Sequence, residues 1–426
     1  MNRKLIPACL LFAGFISCNT NNSPVNTITV TNDSSVSLND KPVIIKRQAL
    51  ANIPQENRFP LVTTNTGDTV AAQLDDTDRD GKWDQLFFVA DFKPREERKF
   101  QLSWTDAPIK LNPRSHIRFG VRQTMDSHVE PAISDTFYAD QLPGVIGYQH
   151  YQTDGPTWEN DKAGFRLYLD GRNSIDVFGK KVSYITSDSI GIGKDGHTEN
   201  NYSDMKDWGT DILAVGNSVG IGGVSLLIKD SLARLGVTEQ DSLNNVDTTI
   251  FNIVSNGPVH SLMEFDYRGW KALNRNYHAT MNTSIWPGMY AFQNTVSLQN
   301  LTGDETLMVG LVNSNTTRPL KEIFINDKWV ALLTHDQQSV NKTWWLGLAL
   351  ILPKEDYLGY MEAPKQGKLS TTFLAKLKVK NDQPVTYYAV AAWELSNEQF
   401  KDEAYFTDYV HNLTEQLAAG LKITVN

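Results

Sequence analysis

Cysteine is nearly absent from this chain of 426 residues, which has only Cys9 and Cys18. Both lie within the first 18 residues. The rest of the sequence therefore offers no disulfide, no catalytic thiolate and no zinc site built on cysteine. A chain of about 400 residues can bury a core large enough to be stable without such cross-links.

The sequence also lacks an apolar run of the ~20 residues that a membrane-spanning helix needs. The run at residues 5–16 follows Arg3 and Lys4 and has the length of the apolar region of a signal peptide. It ends in the sequence FISC, a lipobox in which Cys18 is the residue to be acylated. The alternative is an ordinary secretory signal peptide with a cysteine near its cleavage site.

These features predict an exported lipoprotein that meets the membrane only through its lipid anchor. We expect residues 1–18 to be the signal peptide and residues 19–25 to be a flexible tether, because polar side chains dominate there. Asn19 favours the outer membrane, and no acidic cluster follows Cys18. We therefore expect the protein to face the periplasm, with display at the cell surface as the alternative.

Basic residues are too few for a nucleic-acid-binding surface. The formal net charge is −9, whereas a phosphate backbone needs a basic face. An anionic substrate would therefore need a locally basic pocket. Aromatic residues make up 10% of the chain, with 10 Trp and 15 Tyr. They either form platforms for sugar rings or fill the cores of β-sheets, where aromatic side chains are favoured.

Long amphipathic helical patterns are scarce, and short apolar runs separated by turn residues take their place. Such runs predict antiparallel β-sandwiches. They cover residues 28–31, 86–90, 183–186, 223–228, 249–254, 306–312 and 384–392. The exception is residues 397–421, where apolar side chains recur at near-helical spacing before Gly420. We expect a helix there and a last strand at 421–425.

This pattern predicts a mainly β protein in two units. Residues 26–114 are expected to form a small N-terminal β-domain that ends in a polar, proline-containing stretch. Residues 115–426 are expected to form a large β-sandwich, with the late helix packed on a sheet. The larger unit is the candidate catalytic domain.

The segment DDTDRDGKWD at 75–84 is the sharpest local motif. Its carboxylates alternate before a glycine that permits a sharp bend, as in the first nine positions of a calcium-binding loop. The candidate ligands are Asp76, Asp78, Asp80 and Asp84. The twelfth position is Phe87 instead of glutamate, so a charged hairpin loop is the alternative. We expect no required cofactor, and structural calcium is the candidate metal.

A second motif separates polar from apolar side chains at residues 164–173. In a strand, alternate side chains share a face. One face would carry Arg166, Tyr168, Asp170 and Arg172. Two guanidinium groups on such a face can bind a carboxylate, and Glu159 and Asp161 are candidates to hold them in place. The alternative is a solvated strand face with cross-strand ion pairs.

The common catalytic motifs are missing, since the sequence has no HExxH and no GxSxG. The glycines near residues 216–223 lack the strand-to-helix context of a phosphate-binding loop. Arg268, Trp270 and His278 lie close together in the sequence. The histidines considered for acid or base chemistry are His150, His197, His260 and His278. Each is more often a hydrogen-bonded structural residue.

Three stretches resemble a domain-of-unknown-function family of exported lipoproteins from polysaccharide-utilisation systems. They are GPTWENDKAGFRLYLDGRNSIDVFGK, DWGTDILAVGNSVGIGG and DDTDRDGKWD. The resemblance implies a galactose-mutarotase-like super-β-sandwich. It also implies the activity of an ulvan oligosaccharide dehydratase, which removes water from the unsaturated uronic acid that a lyase leaves at a chain end. Relatives often have a histidine where this chain has Ser203.

Dehydration of a uronate needs a cation at the carboxylate, a base near an acidic carbon–hydrogen bond and an acid at the departing hydroxyl. With the resemblance, the candidate catalytic residues are His278, His197, Tyr202, Arg166 and Arg268. The candidate substrate-binding residues are Trp158, Glu159, Arg172, Lys180, Trp208 and Trp270. The expected partner is an anionic oligosaccharide.

Three alternatives remain open. A β-elimination lyase acting on intact polysaccharide would use similar side chains but needs a long open groove. A non-catalytic oligosaccharide-binding lipoprotein would depend on its aromatic residues instead. An epimerase or mutarotase is suggested by the fold alone, which is weak support.

Overall fold

A computed structural model describes residues 26–51, 53–54, 58–124, 126–142, 150–238 and 240–426. The predicted signal peptide, Cys18 and the tether at 19–25 lie outside the described residues. No helix within the described ranges is long and apolar enough to cross a membrane.

The described residues form 29 strands and one α-helix, together with short 3-10 helices. The first strands are β1 (Asn26–Asn32), β2 (Leu38–Lys46), β3 (Phe59–Thr64), β4 (Thr69–Val70), β5 (Ala72–Asp75), β6 (Gln85–Phe92) and β7 (Glu97–Thr105). The next are β8 (Ser115–Arg118), β9 (Gly120–Val121), β10 (Glu130–Pro131), β11 (Ser134–Tyr138), β12 (Thr157–Asn160), β13 (Gly164–Leu167), β14 (Ile175–Lys180), β15 (Gly209–Asp211), β16 (Ile221–Ile228), β17 (Ser231–Arg234) and β18 (Val246–Asn256). The last elements are β19 (Ser261–Ala272), β20 (Arg275–Ile285), β21 (Ala291–Gln299), β22 (Glu305–Val312), β23 (Lys321–Phe324), β24 (Trp329–Asp336), β25 (Leu346–Pro353), β26 (Tyr357–Glu362), β27 (Thr372–Leu377), β28 (Val385–Trp393), α1 (Glu403–Ala418) and β29 (Leu421–Val425).

The N-terminal β-module packs two sheets around a small apolar core. Their strand orders are β29-β1-β7-β3-β4 and β2-β6-β5. In β1, side chains alternate between buried and partly exposed, and Ile28 and Val30 are buried in this core. β29 pairs antiparallel with β1, with Val425 opposite Ile28. The last strand of the chain therefore completes the first sheet. The predicted boundary between residues 114 and 115 stays a prediction.

The large sandwich has two layers with one extended core between them. One layer is a nine-stranded sheet of order β11-β18-β19-β20-β21-β28-β25-β24-β23, called here the large sheet. The other layer consists of two five-stranded sheets, β15-β14-β13-β12-β8 and β17-β16-β22-β27-β26. The first of these is called the β13 sheet. Phe165, Phe265 and Val309 represent the three sheets within the shared core.

The outer faces of the two layers differ. On the large sheet, α1 packs on β24 and β25, and Phe406 of α1 and Phe87 of β6 belong to a second apolar cluster. On the β13 sheet, residues 181–208, called here the covering segment, lie over the face opposite the core. Consequently every residue of β13 and β14 is buried. Polar side chains on that face are enclosed rather than solvated.

The prediction of a mainly β super-sandwich with a late helix is confirmed. The helix forms where the apolar spacing placed it, and Asp402 caps it by accepting a hydrogen bond from Ala404 N at 2.7 Å. The strand predicted at 183–186 is wrong, because that stretch is irregular. The N–H groups of Thr186 and Ser187 donate to the Glu159 carboxylate and not to a neighbouring strand.

Candidate active site

Arg166 lies at the centre of a buried ionic cluster on the outer face of the β13 sheet. Its Nη2 atom is 2.6 Å from Asp176 Oδ2 and 2.6 Å from Asp211 Oδ2. Antiparallel pairing of β13 with β14 places Arg166 directly opposite Asp176. The side chain of Arg166 is only 3% exposed. Since protein carboxylates already occupy its guanidinium group, its predicted role as a clamp for a substrate carboxylate is disfavoured.

Tyr168 lies between two guanidinium groups. The Cζ atom of Arg166 is 4.5 Å from the Tyr168 ring centroid, and that of Arg172 is 3.8 Å away. The Tyr168 hydroxyl donates to Asp176 Oδ2 at 2.8 Å. Arg172 Nη2 pairs with Asp170 Oδ2 at 2.6 Å. The polar face predicted from the alternating sequence is therefore one connected cluster, although the strand ends before Tyr168.

Carboxylates outnumber guanidinium groups in this cluster. The four acidic residues are Asp154, Asp170, Asp176 and Asp211. Asp154 Oδ2 lies 3.9 Å from Arg166 Nη1. Burial and the charge of Asp176 raise the pKa of Asp211 to about 7, although Arg166 opposes the shift. The side chains of Asp211 and Asp154 are 17% and 21% exposed. The cluster thus holds a mostly buried carboxyl group with a pKa near neutral.

Glu159 and Lys180 form a buried ion pair in which each side chain is 1% exposed. Glu159 also accepts hydrogen bonds from Thr186 N at 2.7 Å and Ser187 N at 2.6 Å. The ion pair joins β12 to β14, and the two backbone hydrogen bonds to Glu159 fasten the covering segment to the sheet. Glu159 and Lys180 are therefore buried and do not face a substrate. The expectation that Glu159 and Asp161 hold the two arginines is wrong, because Asp161 pairs with Arg114.

The predicted aromatic contacts to sugar fit the structure poorly. Trp158 and Trp270 are buried in the core of the large sandwich and cannot stack on a sugar ring. Trp208 is partly exposed, and its ring centroid lies 6.0 Å from that of Phe178. Tyr202 is buried in the covering segment, with Arg166 5.0 Å from its ring centroid. Of the four aromatic candidates, Tyr202 and Trp208 adjoin the Arg166 cluster.

His278 and Arg268 lie on the opposite outer face of the molecule from Arg166. On β19 and β20, side chains alternate between the core and the outer face of the large sheet. His278 and Arg268 are both on the outer face. Asp266 joins them, with Oδ1 2.5 Å from His278 Nε2 and Oδ2 2.7 Å from Arg268 Nη2. The sandwich therefore separates two of the predicted catalytic residues from Arg166 and Tyr202.

His197 lies in the covering segment, at a loop held against residues 126–129. Its Nε2 atom is 3.0 Å from the carbonyl oxygen of Asp126, and its ring centroid is 5.0 Å from that of His128. Its Nδ1 atom lies 3.4 Å from Asp195 Oδ2. These contacts are those of a residue that stabilises its own loop.

The acidic loop at 75–84 brings three of its four predicted ligands together. Carboxylate oxygens of Asp76, Asp78 and Asp84 lie within 4.8 Å of one another. Asp80 is outside this group and accepts a hydrogen bond from Lys82 N at 2.8 Å. Oxygen donors of this kind suit calcium. Asp84 Oδ2 also accepts from Thr77 N at 2.6 Å, as expected of a hairpin loop. Calcium stays a prediction, now with three carboxylate ligands.

Residues 30–423 match the model of a family described as a domain of unknown function, DUF4861. The chain belongs to this family. It is 23% identical over 385 residues to a protein called uncharacterized protein P7 from Formosa agariphila. That match covers 86% of this chain and 84% of the relative.

Two solved structures are similar to the DUF4861 chain along most of its length. An α-mannosidase from Enterococcus faecalis V583 matches 94% of this chain and 46% of its own length, with 11% identity and a TM-score of 0.48. A glycosyl hydrolase family 38 protein from Enterococcus faecalis matches 94% and 47%, with 10% identity and a TM-score of 0.49. The DUF4861 chain thus spans about half the length of these two chains.

Asp154, Asp176 and Asp211 were not among the residues predicted for the site. Asp176 follows Arg166 by ten residues, and hairpin pairing brings such residues opposite each other. The ten-residue spacing could therefore have predicted the pairing of Arg166 with Asp176. Asp211 comes from a strand added at the edge of the sheet after the covering segment. Nothing in the DUF4861 sequence marks it as a partner of Arg166.

The Glu159–Lys180 pair gives a stability prediction. Replacing Lys180 with Met leaves the Glu159 carboxylate buried without its cation, which typically costs about 3–5 kcal/mol. We expect the free energy of unfolding, measured by urea denaturation, to fall by that amount. The matched control is Lys181→Met, which alters an exposed neighbour and should change stability by less than about 0.5 kcal/mol. Equal effects of the two variants would contradict the assignment.

The acidic loop gives a second prediction. Calcium at about a hundredfold its Kd should stabilise the folded chain by about 2.7 kcal/mol, which a thermal melt reports as a higher midpoint. Asp78→Asn should abolish this shift because Asp78 is a ligand. Asp80→Asn should leave it intact because Asp80 lies outside the carboxylate group. If wild type melts identically in calcium and in a chelator, the loop is a hairpin without a metal.

Proposed function

We propose that this DUF4861 protein is a carbohydrate-active dehydratase, a carbon–oxygen lyase. Its substrate would be the unsaturated uronic acid end of ulvan-type oligosaccharides produced by polysaccharide lyases. The observation that carries the proposal is the carboxyl group of Asp211, whose pKa is raised to about 7 beside Asp154 and the Arg172–Tyr168 stack. Perturbed acids with a definite charge partner are typical of catalytic sites. The substrate class comes from the family resemblance of the three sequence stretches.

The proposed reaction uses two aspartates in different protonation states. Asp154, as a carboxylate, removes a proton from the substrate carbon, and that electron pair forms the new double bond. Asp211, in its protonated form, gives its proton to the hydroxyl that departs as water. A proton then returns from Asp154 to Asp211, which restores the enzyme. Two acids whose environments hold them in different protonation states are the usual basis for such a division of roles.

Arg172 is the proposed contact for the substrate carboxylate. Its side chain is 21% exposed, against 3% for Arg166. A bound carboxylate adds negative charge to a cluster that already has four aspartates. It would therefore raise the pKa of Asp211 further and favour the protonated form that the acid role needs. The charge balance of the cluster and an anionic substrate therefore both support the acid role of Asp211.

Two observations weigh against the alternative functions. Among the described residues, the covering segment buries the face of the β13 sheet that carries the cluster, whereas a lyase acting on intact polysaccharide needs a long open groove. The burial of Trp158 and Trp270 removes two of the aromatic platforms that a sugar-binding protein would use. Both observations favour chemistry on a short chain end.

The proposal predicts a pH profile and the effect of one substitution. Asp211→Asn has no proton to give as an acid, so turnover should fall by about 100-fold or more. In the wild type, the acid must be protonated, so kcat/KM should decrease as pH rises through about 7. Mass spectrometry of lyase-generated oligosaccharides measures the reaction as the loss of one water.

The matched control is Asp266→Asn, which changes the carboxylate that pairs with His278 on the large sheet. Its turnover should stay within about twofold of the wild type, since it lies on the other face. Loss of activity in Asp266→Asn with retention in Asp211→Asn would move the site to His278. Shortened products would indicate a lyase or hydrolase, and an unchanged substrate mass would indicate binding alone.

We also propose that the protein is an outer-membrane lipoprotein anchored through Cys18 and facing the periplasm. The support is the lipobox FISC after a short apolar run. Cys18→Ser should move the protein from the membrane fraction to the soluble fraction and abolish incorporation of labelled palmitate. Protease added to intact cells separates periplasmic from surface placement, because only surface-exposed protein is cleaved. Palmitate incorporation that persists in Cys18→Ser would contradict the anchor.

A further inference from the structure

An aspartate, a histidine and a serine form a continuous hydrogen-bonded line outside the Arg166 cluster. His260 Nδ1 lies 2.8 Å from Asp75 Oδ2, and His260 Nε2 lies 2.9 Å from Ser284 Oγ. Asp75 ends β5 in the N-terminal module, whereas Ser284 lies on β20 of the large sheet and His260 directly precedes β19. The line therefore crosses the junction between the two units.

The sheet register fixes the serine and the histidine relative to each other. β19 pairs with β20 so that Leu262 is opposite Ser284, and His260 comes two residues before Leu262 on the same face. Phe87 on β6 stacks on the imidazole with a centroid distance of 4.2 Å and an interplanar angle of 9°. Stacking fixes the plane of the ring, so both nitrogens point at their partners.

Hydrogen bonds hold the Asp75 carboxylate in the position from which it orients the His260 imidazole. Gln73 Nε2 and Ser255 Oγ each donate to its Oδ1 atom at 2.6 Å, and Gln85 Nε2 donates to Oδ2 at 3.1 Å. The Asp75 carboxylate lies at Nδ1 of His260, which favours the imidazole proton on that nitrogen. Nε2 is then left to accept the proton of Ser284.

We propose that Ser284, His260 and Asp75 form a serine-hydrolase centre that cleaves small acyl esters, such as O-acyl groups carried by a sugar. The arrangement is that of a catalytic triad, which is recognised by geometry and roles and not by order in the chain. Ser284 is largely buried, with 7% of its surface exposed. This burial restricts the proposed substrate to small acyl groups.

The proposed step balances without a cofactor. Ser284 Oγ attacks the ester carbonyl while its proton passes to His260 Nε2. The carbon–oxygen bond to the alcohol breaks, and His260 returns the proton to the leaving alcohol. Water, deprotonated by His260, then releases the acid and regenerates Ser284. Gln293 is directly opposite Ser284 on β21, and its Nε2 atom donates to the Tyr388 hydroxyl at 2.8 Å. Its amide is the proposed donor for the oxyanion.

A fluorophosphonate probe tests the proposal directly, because it reacts covalently with activated serines. We expect the wild-type protein to be labelled and peptide mass spectrometry to place the adduct on Ser284. Ser284→Ala and His260→Gln should each lose the labelling, and hydrolysis of p-nitrophenyl acetate should fall by more than about 100-fold. The matched control is Ser297→Ala, which removes a serine from the same outer face on β21 and should change neither readout.

An unlabelled wild type, under conditions that label a reference serine hydrolase, overturns the proposal. So does an adduct on another residue, or equal labelling of Ser284→Ala. The wild-type adduct is decisive even if a variant fails to fold. The readout does not involve loss of water from an oligosaccharide, so this proposal and the dehydratase proposal succeed or fail separately.

Discussion

The Arg166 cluster is the constraint on which the rest of the candidate site depends. One buried guanidinium group lies between the carboxylates of Asp176 and Asp211, and it stabilises both in a region of low dielectric. Burial is the largest cause of the raised pKa of Asp211, and the nearby charge of Asp176 adds to it. Arg166 offsets these effects only in part, so the pKa of Asp211 rises to about 7. Burial and a local excess of carboxylates thus produce the feature that suggests catalysis.

The covering segment explains how such a cluster can exist on the outside of a sandwich. An antiparallel sheet normally has one solvated face, where an arginine and an aspartate would form a weak, screened pair. Here Glu159 accepts hydrogen bonds from two backbone amides of the segment, and Tyr202 closes over Arg166. The enclosed face removes water from the ion pairs, which increases the effect of each charge on the pKa of its neighbours.

The N-terminal module contributes polar side chains to its junction with the large sandwich. β29 returns to pair with β1, so the module contains strands from both ends of the described chain. Its loop at 75–84 carries the candidate calcium ligands, and Asp75, at the start of that loop, contacts His260 of the large sheet. Buried hydrogen bonds from Gln73 to the backbone of His260 strengthen the same junction. The module and the large sandwich therefore share polar contacts that neither would complete alone.

The sequence by itself determined the β-rich class, the late helix with its last strand, and the polar face that begins at Arg166, because these depend on periodicities of two and 3.6 residues. It marked His260 only as one histidine among several. The tertiary structure alone decided which carboxylates meet. Asp211 reaches Arg166 across 45 residues, and His260 reaches Asp75 across 185. It also placed Arg166 and His278 on opposite outer faces. Contacts between distant strands depend on the order of strands in the sheets and on which segment covers a sheet face. Local sequence patterns predict neither of these.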